Sequence, residues 1–161
     1  VIMTVHAIPL SAFALITDGV MGGVSRGTLA RETVQGREAI RMRGSVSLDN
    51  NGGFIQMAAD LSTDGSLVDA SGFSGIELTT LGNGETYNLH VRTREITRPW
   101  QSYRQSFIAG PAWETHRIAF TDFAPHRIET PLDVSGLTRV GILGIGRVFE
   151  VDISMADIRL Y

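Results

Sequence analysis

The sequence predicts an all-β domain, an antiparallel β-sandwich or jelly roll, and three observations carry that prediction. Apolar and polar residues alternate with a period of two in stretch after stretch, while the 3.6-residue helical period does not recur. The alternating stretches are short, about eight to ten in all, and turn residues separate them at the spacing usual in sandwiches. The third observation is the stretch Asp18-Gly-Val-Met-Gly-Gly-Val-Ser25, in which three glycines are interleaved with Val20, Met21 and Val24. Glycine admits positive φ and close backbone approach, and the apolar residues between demand burial. The stretch is therefore a packed chain reversal. Together with Asn50-Asn-Gly-Gly-Phe54 it supplies the structural turn residues Asp18, Gly22, Gly23, Gly52 and Gly53.

Taken in order, residues 28–34 and 38–46 form a hairpin across Gln35-Gly36. Ile40, Met42 and Val46 share one face of the second strand, and Arg41, Arg43 and Ser45 the other. Residues 53–59 are apolar on both faces except Gln56, which marks a central strand. Residues 75–81 follow, then a Gly82-Asn-Gly84 turn and a strand over 86–94 with Tyr87, Leu89 and Val91 inward. Residues 101–109 and 113–120 read as a pair joined across Gly110-Pro111, and 125–132 as a loop. Residues 139–145 are again apolar on both faces and interior. In the last strand Phe149, Val151, Ile153 and Met155 share a face, yet Ile158 and Leu160 have the opposite parity; a bulge near 154–156 restores the register. The 161 residues, 43% hydrophobic and 19% charged, make one domain over 1–161.

The composition excludes more than any motif establishes. All 14 cationic residues are arginine, and cysteine is absent. Without lysine there is no Schiff base and no Walker A lysine; without cysteine there is no thiol nucleophile, disulfide or cysteine-bound zinc. A net charge of −3 gives no pull toward nucleic acid, and no apolar run approaches a membrane span. The opening 15 residues lack a basic n-region and do not read as a signal peptide.

Several further residues run in order along most of the chain. They are Gly44-Ser-Val-Ser-Leu48, Phe73-Ser-Gly-Ile-Glu-Leu78, Gly82-Asn-Gly-Glu-Thr-Tyr87, Phe107, Trp113, Phe120-Thr-Asp-Phe123 and Phe149-Glu-Val-Asp-Ile153. With the two glycine-rich stretches they resemble the complex I intermediate-associated protein 30 family. Ser74 stands where that family usually has aspartate, and His116 where it has an aliphatic residue. The resemblance implies a galactose-binding-domain-like jelly roll and a non-enzymatic binding or assembly role. A protein partner would dock on a sandwich face, as for the mitochondrial member that helps assemble respiratory complex I. It implies no catalytic residues and no cofactor. The compartment would be cytoplasmic in a bacterium and mitochondrial in a eukaryote, and an arginine-only composition fits a GC-rich bacterial genome.

Each motif with catalytic overtones has a plainer reading. Gly23-Val-Ser-Arg-Gly27 matches a nucleophile elbow, but a strand rather than a helix follows it, so a structural turn is favoured. Gly141-Ile-Leu-Gly-Ile-Gly146 has the wrong glycine order for a dinucleotide loop and reads as close strand packing. Asp60, Ser62 and Asp64 resemble the opening of a calcium loop, but its twelfth position is Ser71, which leaves Asx turns as the better reading. His6, His90, His116 and His126 show no metal spacing. Glu77 and Glu85 have no separation that sequence can fix. The run from 92 to 104 interleaves Arg92, Arg94, Arg98 and Arg104 with Trp100 and Tyr103, the composition of either a charged edge or a seat for an anionic or sugar-like ligand. Parity sets Asn88, His90 and Arg92 opposite the core, and Arg41 and Arg43 likewise on their strand. If both strands share a sheet, Arg43, Asn88, His90 and Arg92 converge, with Tyr103 and Gln105 beside them. That expectation is the alternative function: a carbohydrate- or small-anion-binding module.

Overall fold

The computed structural model describes residues 6–49, 53–62, 66–98 and 101–161, among which there are twelve strands and no α-helix. The first sheet runs β3 (Arg26–Val34), β4 (Arg37–Val46), β12 (Phe149–Leu160), β6 (Gly75–Gly82) and β9 (Glu114–Ala119), with β1 (His6–Ala7) paired to the end of β12. The second runs β10 (Ala124–His126), β8 (Ser102–Ile108), β7 (Thr86–Thr93), β11 (Leu137–Ile145), β5 (Phe54–Asp60) and β2 (Ala14–Thr17). Every described pairing is antiparallel. The architecture is a two-sheet sandwich, as the alternation requires.

Local chemistry explains the register. Gln35 and Gly36 both have positive φ, 42° and 81°, the conformation of a two-residue hairpin turn whose twist matches the flanking strands. In β12 the pairing with β6 slips between Met155 and Asp157. That bulge carries Ile153 and Met155 before it, and Ile158 and Leu160 after it, all into the core. Met42, Leu78 and Ile153 from the first sheet face Ile55, Met57, Leu89, Val91 and Ile142 from the second, all with no exposed surface. Burying each such side chain contributes roughly 1.5–3 kcal/mol. Gly144 faces inward where Val151 and Phe149 of the opposite sheet approach; a Cβ there would lie 2.6 Å from the valine. This is the close packing expected of the glycines in β11.

Two sequence expectations are corrected. Residues 101–109 and 113–120 do not pair: β8 lies in the second sheet and β9 in the first, so Gly110-Pro111 carries the chain across the sandwich. Alternation identifies strands but not which sheet receives them. The stretch 125–132 is not all loop either, because β10 adds a short edge strand to β8. With Pro125 and only three residues it carries almost no periodic signal.

Candidate functional site

The glycine-rich stretch is a structural clasp. Asp18 is fully buried. Its Oδ1 accepts from the Ser25 N–H at 3.0 Å, and its Oδ2 accepts from the Ser25 hydroxyl at 2.5 Å and the Gly53 N–H at 2.6 Å. The Phe54 N–H reaches the same oxygen at 3.4 Å. Burial alone would raise this carboxyl, but the donated bonds from Ser25, Gly53 and Phe54 outweigh it and hold the group below the ordinary aspartate value. One carboxylate thus joins the entry of β3 in the first sheet to the entry of β5 in the second. Gly22 closes the preceding turn at φ 86°, where a Cβ is strained, and the Gly23 N–H donates to the Asp18 carbonyl at 2.9 Å. Gly52 lies outside the described residues. The Ser25 hydroxyl also accepts from the Ser47 N–H at 2.8 Å, so it is a buried strut, and a strand follows it where an elbow needs a helix.

The cavity lies elsewhere, on the outer face of the second sheet. Side chains of β8, β7, β11 and β5 floor a basin of about 810 Å³. One row across the sheet runs Arg104, His90, Gly141 and Ala58, partners in adjacent strands. Gly141 has no side chain and the Gln56 amide lies over it; a Cβ there would meet Gln56 Oε1 at 2.3 Å. The missing side chain at Gly141 lets the Gln56 amide lie close against the sheet. Leu143 is 4% exposed yet lines the basin and is no part of the core between the sheets. Toward one end the lining is apolar, from Ile16, Phe54, Leu143 and Ile145; toward the other it is cationic, from Arg92, Arg94, Arg104 and Arg139, with His126 among them.

The segment after β7 builds a wall over the cationic end. Gln101 Oε1 accepts from the N–H groups of Thr97 and Arg98 at 3.0 and 3.1 Å, and its Nε2 donates to the Arg127 carbonyl at 3.2 Å. Arg92 reaches up to the same wall, donating to the carbonyls of Gln101 and Arg98 at 3.3 and 3.4 Å. Trp100 lies outside the described residues. Arg104 donates from Nε and Nη2 to the Ser102 hydroxyl, both at 3.4 Å. His90 is 8% exposed and its Nε2 has no hydrogen-bond partner among the described residues. Burial, then the charges of Arg104, His126 and Arg92, push its imidazole down to about 3. It is therefore neutral at physiological pH.

The expected convergence is only partly realised. His90 and Arg92 line the basin, and Asn88 sits one row toward the apolar end, opposite Leu143. Arg43 does not join them. It is on β4 in the first sheet, 3.3 Å from Glu32, because parity assigns a face but not a sheet. Tyr103 and Gln105 are opposite Val91 and Leu89 and share their inward parity. Tyr103 is fully buried, its hydroxyl donating to the Thr130 carbonyl at 2.6 Å, while Gln105 bonds the Asp122 carbonyl. Arg94 and Arg104, from the arginine-rich run, do line the basin, and His126 and Arg139 join them without a sequence expectation. Tyr103 facing inward would have turned Arg104 outward, and the basic residue ahead of the apolar run of β11 was a signal for Arg139. Of the calcium candidates, Asp60 pairs with Arg139 at 3.0 Å, Ser62 bonds Ser66, and Asp64 is outside the described residues. Ser71 instead closes an Asx turn on Asp69, with N–H and hydroxyl both donating to Oδ1.

A profile of the family described as Complex I intermediate-associated protein 30 matches residues 5–155. Among curated proteins no sequence matches the chain. Solved structures share the fold. A family 11 carbohydrate-binding module from Clostridium thermocellum, in complex with a β-1,3-1,4-mixed-linked tetrasaccharide, superposes with a TM-score of 0.75 at 12% identity, covering 97% of this chain and 94% of that one. A family 30 carbohydrate-binding module of a Clostridium thermocellum cellulosomal cellulase gives 0.63 at 16% identity, covering 83% and 82%. An exo-β-agarase gives 0.58 at 11% identity, covering 96% of this chain but 24% of the enzyme. At these identities the likeness is one of fold.

Proposed function

The chain belongs to the Complex I intermediate-associated protein 30 family, and from that premise we propose that it is a non-catalytic binding domain whose ligand is an extended carbohydrate seated in the basin of the second sheet. The observation that carries this reading is the basin itself: a concavity of about 810 Å³ floored by Gly141 and Leu143 and walled by the Gln101 segment. A merely solvated sheet face needs neither concavity nor a braced wall. A mixed apolar and hydrogen-bonding lining suits sugar rings, which present both kinds of surface. That the solved relatives include carbohydrate-binding modules supports the same reading. Isothermal titration of the protein against a panel of oligosaccharides tests it. Gly141→Leu should weaken binding at least tenfold, because the new side chain must displace the flexible Gln56 amide into the basin. Millimolar glycan with no heat from the native protein would end the carbohydrate reading.

A protein-docking role is the second reading, and one observation favours it. Val24, Leu48 and Val148 are 45%, 48% and 71% exposed. All three lie at one end of the sandwich, next to residues through which Ser47 bonds Ser25 and Gly146 bonds Gly53. An exposed apolar end beside the clasp suits an assembly partner. Val148→Asp should then abolish co-purification with a complex I assembly intermediate and leave glycan binding intact.

A further inference from the structure

We infer that the ligand of the basin is an acidic oligosaccharide, whose carboxylate or sulfate seats at the guanidinium of Arg104 over the His90 imidazole, with Arg92 and Arg139 on the flank. The inference rests on the carbohydrate reading of the basin and names the substrate class within it. Four observations converge on it. Arg104 lines the basin, and among the described residues its hydrogen bonds go to the single hydroxyl of Ser102, at a long 3.4 Å. Its cross-strand partner His90 is more than nine-tenths buried, with Nε2 lacking a partner. Asp60, the one carboxylate among the described lining residues, is already held by Arg139. Arg139 is in turn the cross-strand partner of Arg92, so two guanidiniums lie side by side on neighbouring strands.

The electrostatics agree with the geometry. Burial pulls the Arg104 guanidinium below its ordinary value, and burial then the charge of Arg139 does the same to Arg92. Arginine nonetheless stays protonated in proteins, so these charges persist in a setting that disfavours them. An anion would relieve that cost and would form short charge-assisted bonds in place of the two long ones to Ser102. A neutral sugar gains much less from a guanidinium. The neutral imidazole of His90 completes the seat, since its Nε2–H can donate to the same anion.

The test is titration calorimetry of the native chain with three oligosaccharides of equal length: a mixed-linkage glucan, a polygalacturonate fragment and a sulfated galactan. At least one acidic ligand should bind tenfold or more tightly than the glucan, the preference shrinking as salt rises. Whichever anion is preferred distinguishes carboxylate from sulfate. Arg104→Gln should erase that preference, bringing the acidic ligand to within about threefold of the glucan measured on the same variant. Inorganic sulfate, titrated against the native protein already carrying the acidic ligand, should compete, so the inference stays testable even if the variant misfolds. A glucan that binds as tightly as both acidic ligands overturns the inference and leaves the carbohydrate reading standing. If none of the three binds, that reading falls as well.

Discussion

On the first sheet Arg41 lies between two carboxylates: Nε and Nη2 bond Asp152 at 2.9 and 2.8 Å, and Nη1 reaches Glu32 at 3.3 Å. On the second sheet Arg104 faces a basin and bonds one serine hydroxyl. Both outer faces carry arginine at alternating strand positions, yet the described lining of the basin holds a single carboxylate, Asp60, and it is bonded to Arg139. Glu77 repeats the first arrangement, held between Arg117 and Arg159 in one cross-strand row. The bonds it donates to Asp152 raise Arg41, while burial lowers Arg104 and Arg92. A face whose charges are internally matched has little to offer a ligand. A concave face on which Arg104, among the described residues, bonds only a serine hydroxyl leaves a charge that an anion from solution can meet.

The most disruptive way to break the contrast is to unlock the sheets that hold the two faces apart. Asp18 joins β3 to β5 through bonds from Ser25, Gly53 and Phe54. Asp18→Ala should lower unfolding free energy by roughly 3 kcal/mol, since buried donors to a charged group lose their acceptor together. The denaturant midpoint measures it, and an unchanged midpoint would show that the clasp is ornamental.

A smaller effect separates the faces by pH. His90 is held near 3 in the folded protein against an ordinary value of 6.5. Above pH 6.5 neither state protonates it and stability is unaffected. As pH falls from 6.5 toward 3, the unfolded chain takes up a proton that the folded one refuses, so stability declines. The slope is about 1.4 kcal/mol per pH unit, or roughly 2 kcal/mol by pH 5. His90→Gln should flatten this decline, leaving the loss at lower pH that depressed carboxyls such as Asp18 and Glu77 contribute. Equal slopes in native and variant protein would mean that His90 is not buried against the arginines.

The fold was legible because alternation is a local signal. The two hairpin strands, the interior β5 and β11, and the bulge in β12 follow from residue type and parity alone. The basin was legible only in part. Parity correctly turned His90 and Arg92 outward from Leu89 and Val91, but it cannot assign β4 and β7 to the same sheet, and they belong to different ones. Tyr103 misled for another reason: an aromatic beside arginines suits a ligand rim, yet a phenol with a carbonyl partner at Thr130 is equally at home inside. Depth was invisible as well. It depends on Gly141, over which Gln56 of the neighbouring strand lies, and the two meet only through strand pairing.

The smallest effect gives the sharpest control, because it concerns the arginine that sequence parity grouped with the basin. Arg43 is half exposed and meets Glu32 at 3.3 Å on the first sheet. An exposed pair of this kind contributes roughly 0–1 kcal/mol, screened by salt, so Arg43→Gln should leave the denaturant midpoint almost unmoved. Its effect on ligand affinity should be nil, since the core of the sandwich separates it from His90 and Arg104. The matched substitution at Arg104 removes one charge of the same type from the opposite face and should cost at least tenfold in affinity for an acidic ligand. Measured side by side at one ionic strength, the two variants carry the same change in net charge. Any long-range effect of that charge therefore cancels, and what remains is the difference between the faces. A comparable loss of affinity in Arg43→Gln would place the ligand on the first sheet, or reduce its recognition to net charge alone.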